Sequence, residues 1–181
     1  VKSTPLDGLV EIEHTPIRDA RGSFTRLFCE QELAGIRLGL HFPQINWSYT
    51  KSLGTVRGMH CQRPPEVEAK LIRCLQGKVF DVAVDLRAHS PTFLQWHAVE
   101  LSKENNTAVF IPEGFAHGFQ TLSDDVCLLY MHTKSWNKSK EFGVHYDDPL
   151  ISIDWPLPIQ HCSERDTGHP RLDANFKGLL L

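Results

Sequence analysis

The sequence has no clustered basic excess. Its 19 Lys+Arg stand singly against 22 Asp+Glu, for a formal net charge of −3. That excludes the electrostatic footprint of a general nucleic-acid binder. No run comes near the ~18 consecutive apolar residues of a membrane-spanning helix. The first residues, VKSTPLDGLVEIEH, lack the apolar stretch of a secretory signal. The five cysteines (Cys29, Cys61, Cys74, Cys127, Cys162) are odd in number and contain no C-x-x-C pair. This argues against both a structural zinc site and a disulfide framework. Free thiols fit a reducing compartment, so the cytoplasm is expected. Repeats, low-complexity stretches and Pro/Gly-rich linkers are also missing, and 181 residues suffice for one domain spanning 1–181.

What is there reads as β-structure. Leu71–Leu75, Val79–Leu86, Trp96–Leu101, Ala108–Ile111 and Val126–Thr133 are short runs rich in Val, Ile, Leu, Phe and Thr. Turn signals punctuate them at Gly77, Ser90-Pro91, Asn105-Asn106, Pro112 to Gly114 and Ser123 to Asp125. Their spacing suggests a sandwich or barrel. In KVFDVAVDLR, Val79, Asp81, Ala83 and Asp85 share one face and Phe80, Val82, Val84 and Leu86 the other. A mixed face opposite an apolar one suits a strand lining a partly polar cavity. Helix is scarce: Gln31–Leu40 is expected as a short helix, and the Pro-rich tail beyond Asp147 as turns with short helices.

The chemistry-bearing residues lie in two segments, Gly54 to Pro65 around His60 and Ile111 to Phe119 around His117. The second contains P-x-G-x-x-H (Pro112 to His117), which resembles the second motif of the cupin family of small β-barrels. Cupins that hold a metal usually present H-x-H in the first motif. Here that motif reads His60-Cys61-Gln62. His60, His117 and a carboxylate from Glu66 or Glu68 make a thin set for a transition metal, which wants three or four N/O donors. No metal is expected.

A wider and more specific resemblance runs through Asp19 to Phe24, Arg57-Gly-Met-His60, Lys70-Leu-Ile-Arg73, Gly77 to Arg87, Ser90-Pro-Thr-Phe93, Ile111 to Phe119, Leu129-Tyr130, Asp148-Pro149, Asp154-Trp155-Pro156 and Ser163 to Asp166. In this order, these motifs resemble the dTDP-4-dehydrorhamnose 3,5-epimerase family. The resemblance implies an all-β, cupin-type jelly-roll barrel with a few short helices, which works as a homodimer without metal or redox cofactor. Its substrate would be a nucleotide-diphosphate 4-keto-6-deoxyhexose, inverted next to the ketone; no nucleic acid or membrane is implied as a partner. Such chemistry needs a base on one face, a group that stabilises the enolate oxygen, and an acid on the other face.

By the same resemblance, His60 matches the base and Asp166 the carboxylate that orients it. Lys70 matches the enolate stabiliser and Tyr130 the acid. Taken singly, each has a structural alternative: a hydrogen-bonded strand histidine, a packing tyrosine, an edge lysine. Their joint occurrence inside matching motifs favours the catalytic roles. Arg57 matches a diphosphate contact, with Gln44 and Asn46 near the nucleotide and phosphates. Arg21 and Phe24 match a segment that reaches across the dimer into the neighbouring site. His117 is expected either to line the sugar pocket or to hold a turn. The remaining eight histidines, His132 and His169 among them, carry no motif and are expected on the surface or in structural roles.

Four positions depart from the family pattern. Arg26 stands where a Glu is usual; a carboxylate can accept from thymine N3–H, whereas arginine only donates, so cytosine or guanine becomes a rival base. Trp136 replaces a second tyrosine at the sugar end. Met131 replaces a common Lys, and Cys61 a common Tyr. The alternatives to an epimerase are a sugar-nucleotide ketoisomerase, a metal-dependent cupin enzyme, and a non-catalytic sugar-nucleotide-binding barrel.

Overall fold

The alternation in 79–86 sets the architecture, because a strand with two different faces needs two different neighbours. The computed structural model describes residues 1–181. Thirteen strands run β1 (Lys2–Ser3), β2 (Val10–Glu13), β3 (Ile17–Asp19), β4 (Gly22–Phe24), β5 (Gln44–Thr50), β6 (Val56–Gln62), β7 (Lys70–Gln76), β8 (Lys78–Asp85), β9 (Trp96–Ser102), β10 (Thr107–Ile111), β11 (Phe115–Thr121), β12 (Val126–His132) and β13 (Glu141–Gly143). A single turn of α-helix, α1 (Glu164–Thr167), follows late in the chain. Two antiparallel sheets, ordered β1-β2-β10-β7-β12-β5 and β13-β6-β11-β8-β9, face one another, and β3-β4 form a separate hairpin. This is the expected all-β jelly roll.

Three apolar clusters hold it together. Between the sheets, Val79 and Ala83 of β8 pack with Ile72, Cys74, Phe115, Phe119 and Leu128. Outside the five-stranded sheet, Val82, Val84 and Leu86 pack against Ile151, Trp155, Phe176 and Leu179, so the Pro-rich tail covers that face. Outside the six-stranded sheet, Leu71, Phe110 and Met131 are covered by Leu33, Ile36 and Leu40. The two faces read from 79–86 therefore go where their polarity sends them.

The segment expected as a helix at Gln31–Leu40 is instead a series of turns, with short-range bonds such as Leu33 N–H to Cys29 O and Ile36 N–H to Leu33 O. Gly35 weakens a helix interior, and Gly39 adopts φ +68°. Leu33 and Leu40 are buried, so tertiary packing rather than a helical ladder fixes the segment. The five expected strands all form, each within a residue or two of its expected ends. Beyond them, β5, β6 and β11 complete the walls around a polar cavity at one end of the barrel.

Candidate active site

Side chains on a strand alternate, so residues two apart share a face. On β12, Leu128 belongs to the inter-sheet core and Tyr130 packs against it. The next inward position, His132, reaches the cavity. On β7, Cys74 and Ile72 lie in the core and Lys70 comes next. Each strand thus passes from apolar to polar as it leaves the core. The resulting cavity, about 220 Å³, is lined by His60, Lys70, His117, Tyr130, Asn46 and Trp136, among others.

His60 sits on β6 and its Nε2 lies 2.7 Å from Asp166 Oδ1. Asp166 comes from α1, whose start is capped by Ser163: its Oγ accepts from Asp166 N–H. The second carboxylate oxygen accepts from Gly58 N–H at 3.2 Å. Burial pushes the Asp166 carboxyl up, but hydrogen bonding and charge from His60, with the Gly58 bond, outweigh it and hold it below the usual carboxylate range. Asp166 is therefore an anion that accepts a hydrogen bond from His60 Nε2–H and leaves Nδ1 of His60 as the unprotonated ring nitrogen.

Tyr130 is partly buried against the core, and desolvation pushes its phenol well above the usual value, against a lowering hydrogen bond with Ser48. The two hydroxyl oxygens are 3.2 Å apart. Lys70 Nζ donates to the His60 carbonyl at 3.2 Å and pairs with Glu68 at 3.3 Å. His117 is buried, and its Nε2 meets Asp81 Oδ2 at 2.9 Å. Burial lowers its pKa against the raising effect of Asp81. It lines the cavity and is also paired across strands with His60. Of the two expectations for His117, the cavity wall matches its place; it holds no turn, lying within β11 and bonded across to Asp81 of β8.

The binding candidates divide. Asn46 and Trp136 line the cavity. Gln44 Oε1 accepts from the Trp136 backbone N–H at 2.8 Å and so fixes the loop that carries it. Arg57 extends outward from β6 and donates to Tyr49 O at 3.1 Å. Arg21, Phe24 and Arg26 are not brought to the cavity within this chain. Arg21 pairs with Asp19 in the β3–β4 hairpin, and Phe24 is 64% exposed. Arg26 pairs with Glu32, and with Phe24 it lines a different groove.

Three residues around the cavity were not singled out as site residues. His169, expected in a surface or structural role, lies with its ring edge-on to His60 at 5.4 Å and its Nε2 3.5 Å from Asp166. Burial, then the His60 charge, lower its pKa. His132 and Glu68 pair at 2.9 Å and line the same cavity. Nothing in the linear spacing announces these approaches. Gln62, by contrast, is tied to the backbone of Glu66, Ser135 and Asn137 and is a structural post. His60, Asp166 and His169 are the three donors grouped closely enough to hold a metal ion, but an ion there would have to part the His60–Asp166 hydrogen bond.

A carboxylate-backed histidine, a protonated phenol and a lysine around one small barrel cavity define an acid–base isomerase of the jelly-roll type. The profile of the dTDP-4-dehydrorhamnose 3,5-epimerase family matches residues 3–174. The chain is 44% identical over 175 residues to the dTDP-4-dehydrorhamnose 3,5-epimerase of Methanothermobacter thermautotrophicus, covering 95% of this chain and 94% of that one. It is 37% identical to the dTDP-4-dehydrorhamnose 3-epimerase of Streptomyces niveus, covering 97% and 85%. It superposes with a TM-score of 0.91 on the Legionella pneumophila dTDP-6-deoxy-D-glucose-3,5-epimerase solved with dTDP-4-keto-L-rhamnose, at 38% identity over 99% and 97% of the two chains. The chain belongs to the dTDP-4-dehydrorhamnose 3,5-epimerase family.

Proposed function

We propose that this protein inverts C3, C5 or both in a dTDP-linked 4-keto-6-deoxyhexose, in deoxysugar supply. The observation that carries the reading is the His60–Asp166 pair opening on the cavity that Tyr130 and Lys70 also line. His60 removes the proton beside the ketone, and the electron pair moves onto the ketone oxygen as an enolate. Lys70 has three N–H donors; two meet the His60 carbonyl and Glu68, leaving one for that oxygen. Tyr130 returns a proton to the opposite face, and exchange with water then resets both groups. Placing preorganised donors where charge develops is the largest source of acceleration in such sites.

Arg57 takes the diphosphate, and Asn46 faces the sugar–phosphate end. Arg21 and Phe24 belong, in this reading, to the site of a second copy in a homodimer. Their exposure and their distance from the chain's own cavity support it. Thymine is the favoured base although Arg26 stands at the position of a usual Glu. Glu32 pairs with that arginine and lines the same groove as Phe24, so a carboxylate acceptor is present in that groove. The protein works in the cytoplasm, as its five free cysteines suggest, and 1–181 act as one catalytic domain. No helix is long and apolar enough to cross a membrane.

The test is NMR in D₂O with dTDP-4-keto-6-deoxyglucose and its CDP analogue, using wild type and His60→Ala. Deuterium entering C3 or C5, and lost in the variant, is the expected result and shows which carbon is attacked. Tight nucleotide binding with no exchange on either substrate overturns the reading in favour of a binding barrel. Preference for the CDP sugar overturns thymine alone.

A further inference from the structure

Three histidine–carboxylate pairs meet around the cavity, and the reaction above uses the dyad His60–Asp166 directly, with His117–Asp81 as a buried post. The third enters it only through the contact of Glu68 with Lys70, and His132 has no role in it. Glu68 precedes β7 and is buried against Lys70 and His132, its side chain 9% exposed. One carboxylate oxygen faces Lys70 Nζ at 3.3 Å; the other accepts from His132 Nδ1 at 2.9 Å. The opposite nitrogen, His132 Nε2, lies 3.2 Å from Asn46 Nδ2. An amide nitrogen only donates, so Nε2 is the acceptor. The His132 ring also stacks on Tyr130, 18° from parallel with centroids 6.1 Å apart.

Burial pushes the Glu68 carboxyl up, but the His132 hydrogen bond and the Lys70 charge outweigh it and hold it low. Glu68 is therefore an anion with two acceptor oxygens. It fixes His132 with its proton on Nδ1, because the ring nitrogen that is protonated is set by the hydrogen bond it makes. That tautomer in turn claims the Asn46 amide nitrogen and turns the Asn46 carbonyl oxygen away from the ring.

We propose that Glu68 and His132 are positioning residues for substrate recognition: the chain Glu68–His132–Asn46 sets which end of the Asn46 amide meets the substrate, and Glu68 also steadies the Lys70 ammonium. The sugar nucleotide would then meet Asn46 as a hydrogen-bond acceptor, which favours a ligand hydroxyl over a bare oxygen anion at that point. This rests on the function proposed above for its substrate, but its first consequence does not. Glu68→Gln is the sharp variant. An amide offers one acceptor in place of two, so it cannot serve both Lys70 and His132 Nδ1–H.

The first test needs no substrate. In histidine-¹⁵N-labelled wild type at pH 7.5, long-range ¹H–¹⁵N spectra should show His132 protonated at Nδ1 and bare at Nε2, its signals assigned by their loss in His132→Phe or His132→Asn. The Nε2–H or doubly protonated form overturns the proposal. The second test is kinetic, with dTDP-4-keto-6-deoxyglucose. His132→Phe keeps the stacked ring, and its KM should rise on the order of tenfold, more than its kcat falls, as for one lost hydrogen bond. Glu68→Gln should raise KM similarly and lower kcat as well. The double variant should raise KM no further than either alone, since one chain carries the effect. KM within about twofold of wild type in both variants, or additive KM effects, overturns it. Because the tautomer is read on the free protein, its failure is distinct from a failure of deuterium exchange, which strikes the proposed function instead.

Discussion

In the proposed reaction, Asp166 is what makes a directed base of an ordinary strand histidine, His60. Its carboxyl is held below the usual range, so the dyad is complete above the ordinary carboxylate pKa of ~4 and is lost only as pH falls through the depressed folded value. Asp166→Asn keeps the shape but removes the anion and favours the wrong imidazole tautomer. Its kcat should fall by roughly 10²–10⁴ with KM nearly unchanged, by comparison with other histidine–carboxylate pairs; a drop in KM alone would contradict the role. Tyr130 has the opposite shift. Burial raises its phenol, so the acid stays protonated beyond the ordinary value of ~10. Tyr130→Phe should abolish inversion while proton abstraction at His60 survives, read as deuterium washing into the carbon without net epimerisation.

At the scale of elements, close backbone approaches bring these residues together. Gly58, with φ +133°, lies where a Cβ would come within 2.5 Å of Gly118 Cα on the neighbouring strand. Gly143 of β13 is bare because His169 fills its side-chain space; a Cβ there would lie 2.2 Å from the imidazole. Gly143→Ala should therefore push His169 off the His60–Asp166 pair and lower kcat, with a stability loss of about 1–3 kcal/mol as for other overpacked sites. Activity and melting temperature measured together check this; an unchanged kcat would remove His169 from the site. β5 shows why sequence pattern ran short. Its apolar Ile45, Trp47 and Tyr49 are exposed, while Asn46 lines the cavity and Ser48 meets Tyr130. Alternation was present, but its polar face turns inward, the reverse of an ordinary core strand.

At the scale of the molecule, Asp85 shows how a loop is locked to the barrel. Wholly buried, it accepts from Arg87 Nε at 2.9 Å, Ser90 Oγ at 2.5 Å and Thr92 Oγ1 at 2.6 Å, and the Arg87 guanidinium lies over the Phe115 ring. Burial raises the Asp85 carboxyl, and these bonds more than offset it, leaving it low. A depressed carboxyl adds stability above its unfolded pKa and loses it as pH falls through the folded value. Asp85→Asn should cost about 3–5 kcal/mol at pH 7, with the gap to wild type narrowing in acid. Urea unfolding at pH 7 and pH 3 measures both. The proposed homodimer predicts complementation: Arg21→Ala and His60→Ala, each weak or inactive alone, should regain about a quarter of wild-type activity when refolded together, since half the dimers would then carry one complete site. No recovery in verified mixed dimers would place Arg21 outside the partner's site.

The sequence by itself determined the strand-rich class, the two faces of 79–86 and the motifs around His60, Lys70, His117, Tyr130 and Asp166, because period-two alternation and short motifs are local properties. It also carried the family, which the profile match bears out. Only the tertiary structure decided that the stretch around Leu33 is turns, that Glu68 and His132 face the cavity, and that His169 leans on the dyad. These are contacts between residues far apart in the chain: His132 and Glu68 are separated by 64 positions and His60 and Asp166 by 106. Antiparallel pairing and the closing of one sheet over the other bring such groups within hydrogen-bond reach, and neither leaves a signal in any short window of sequence.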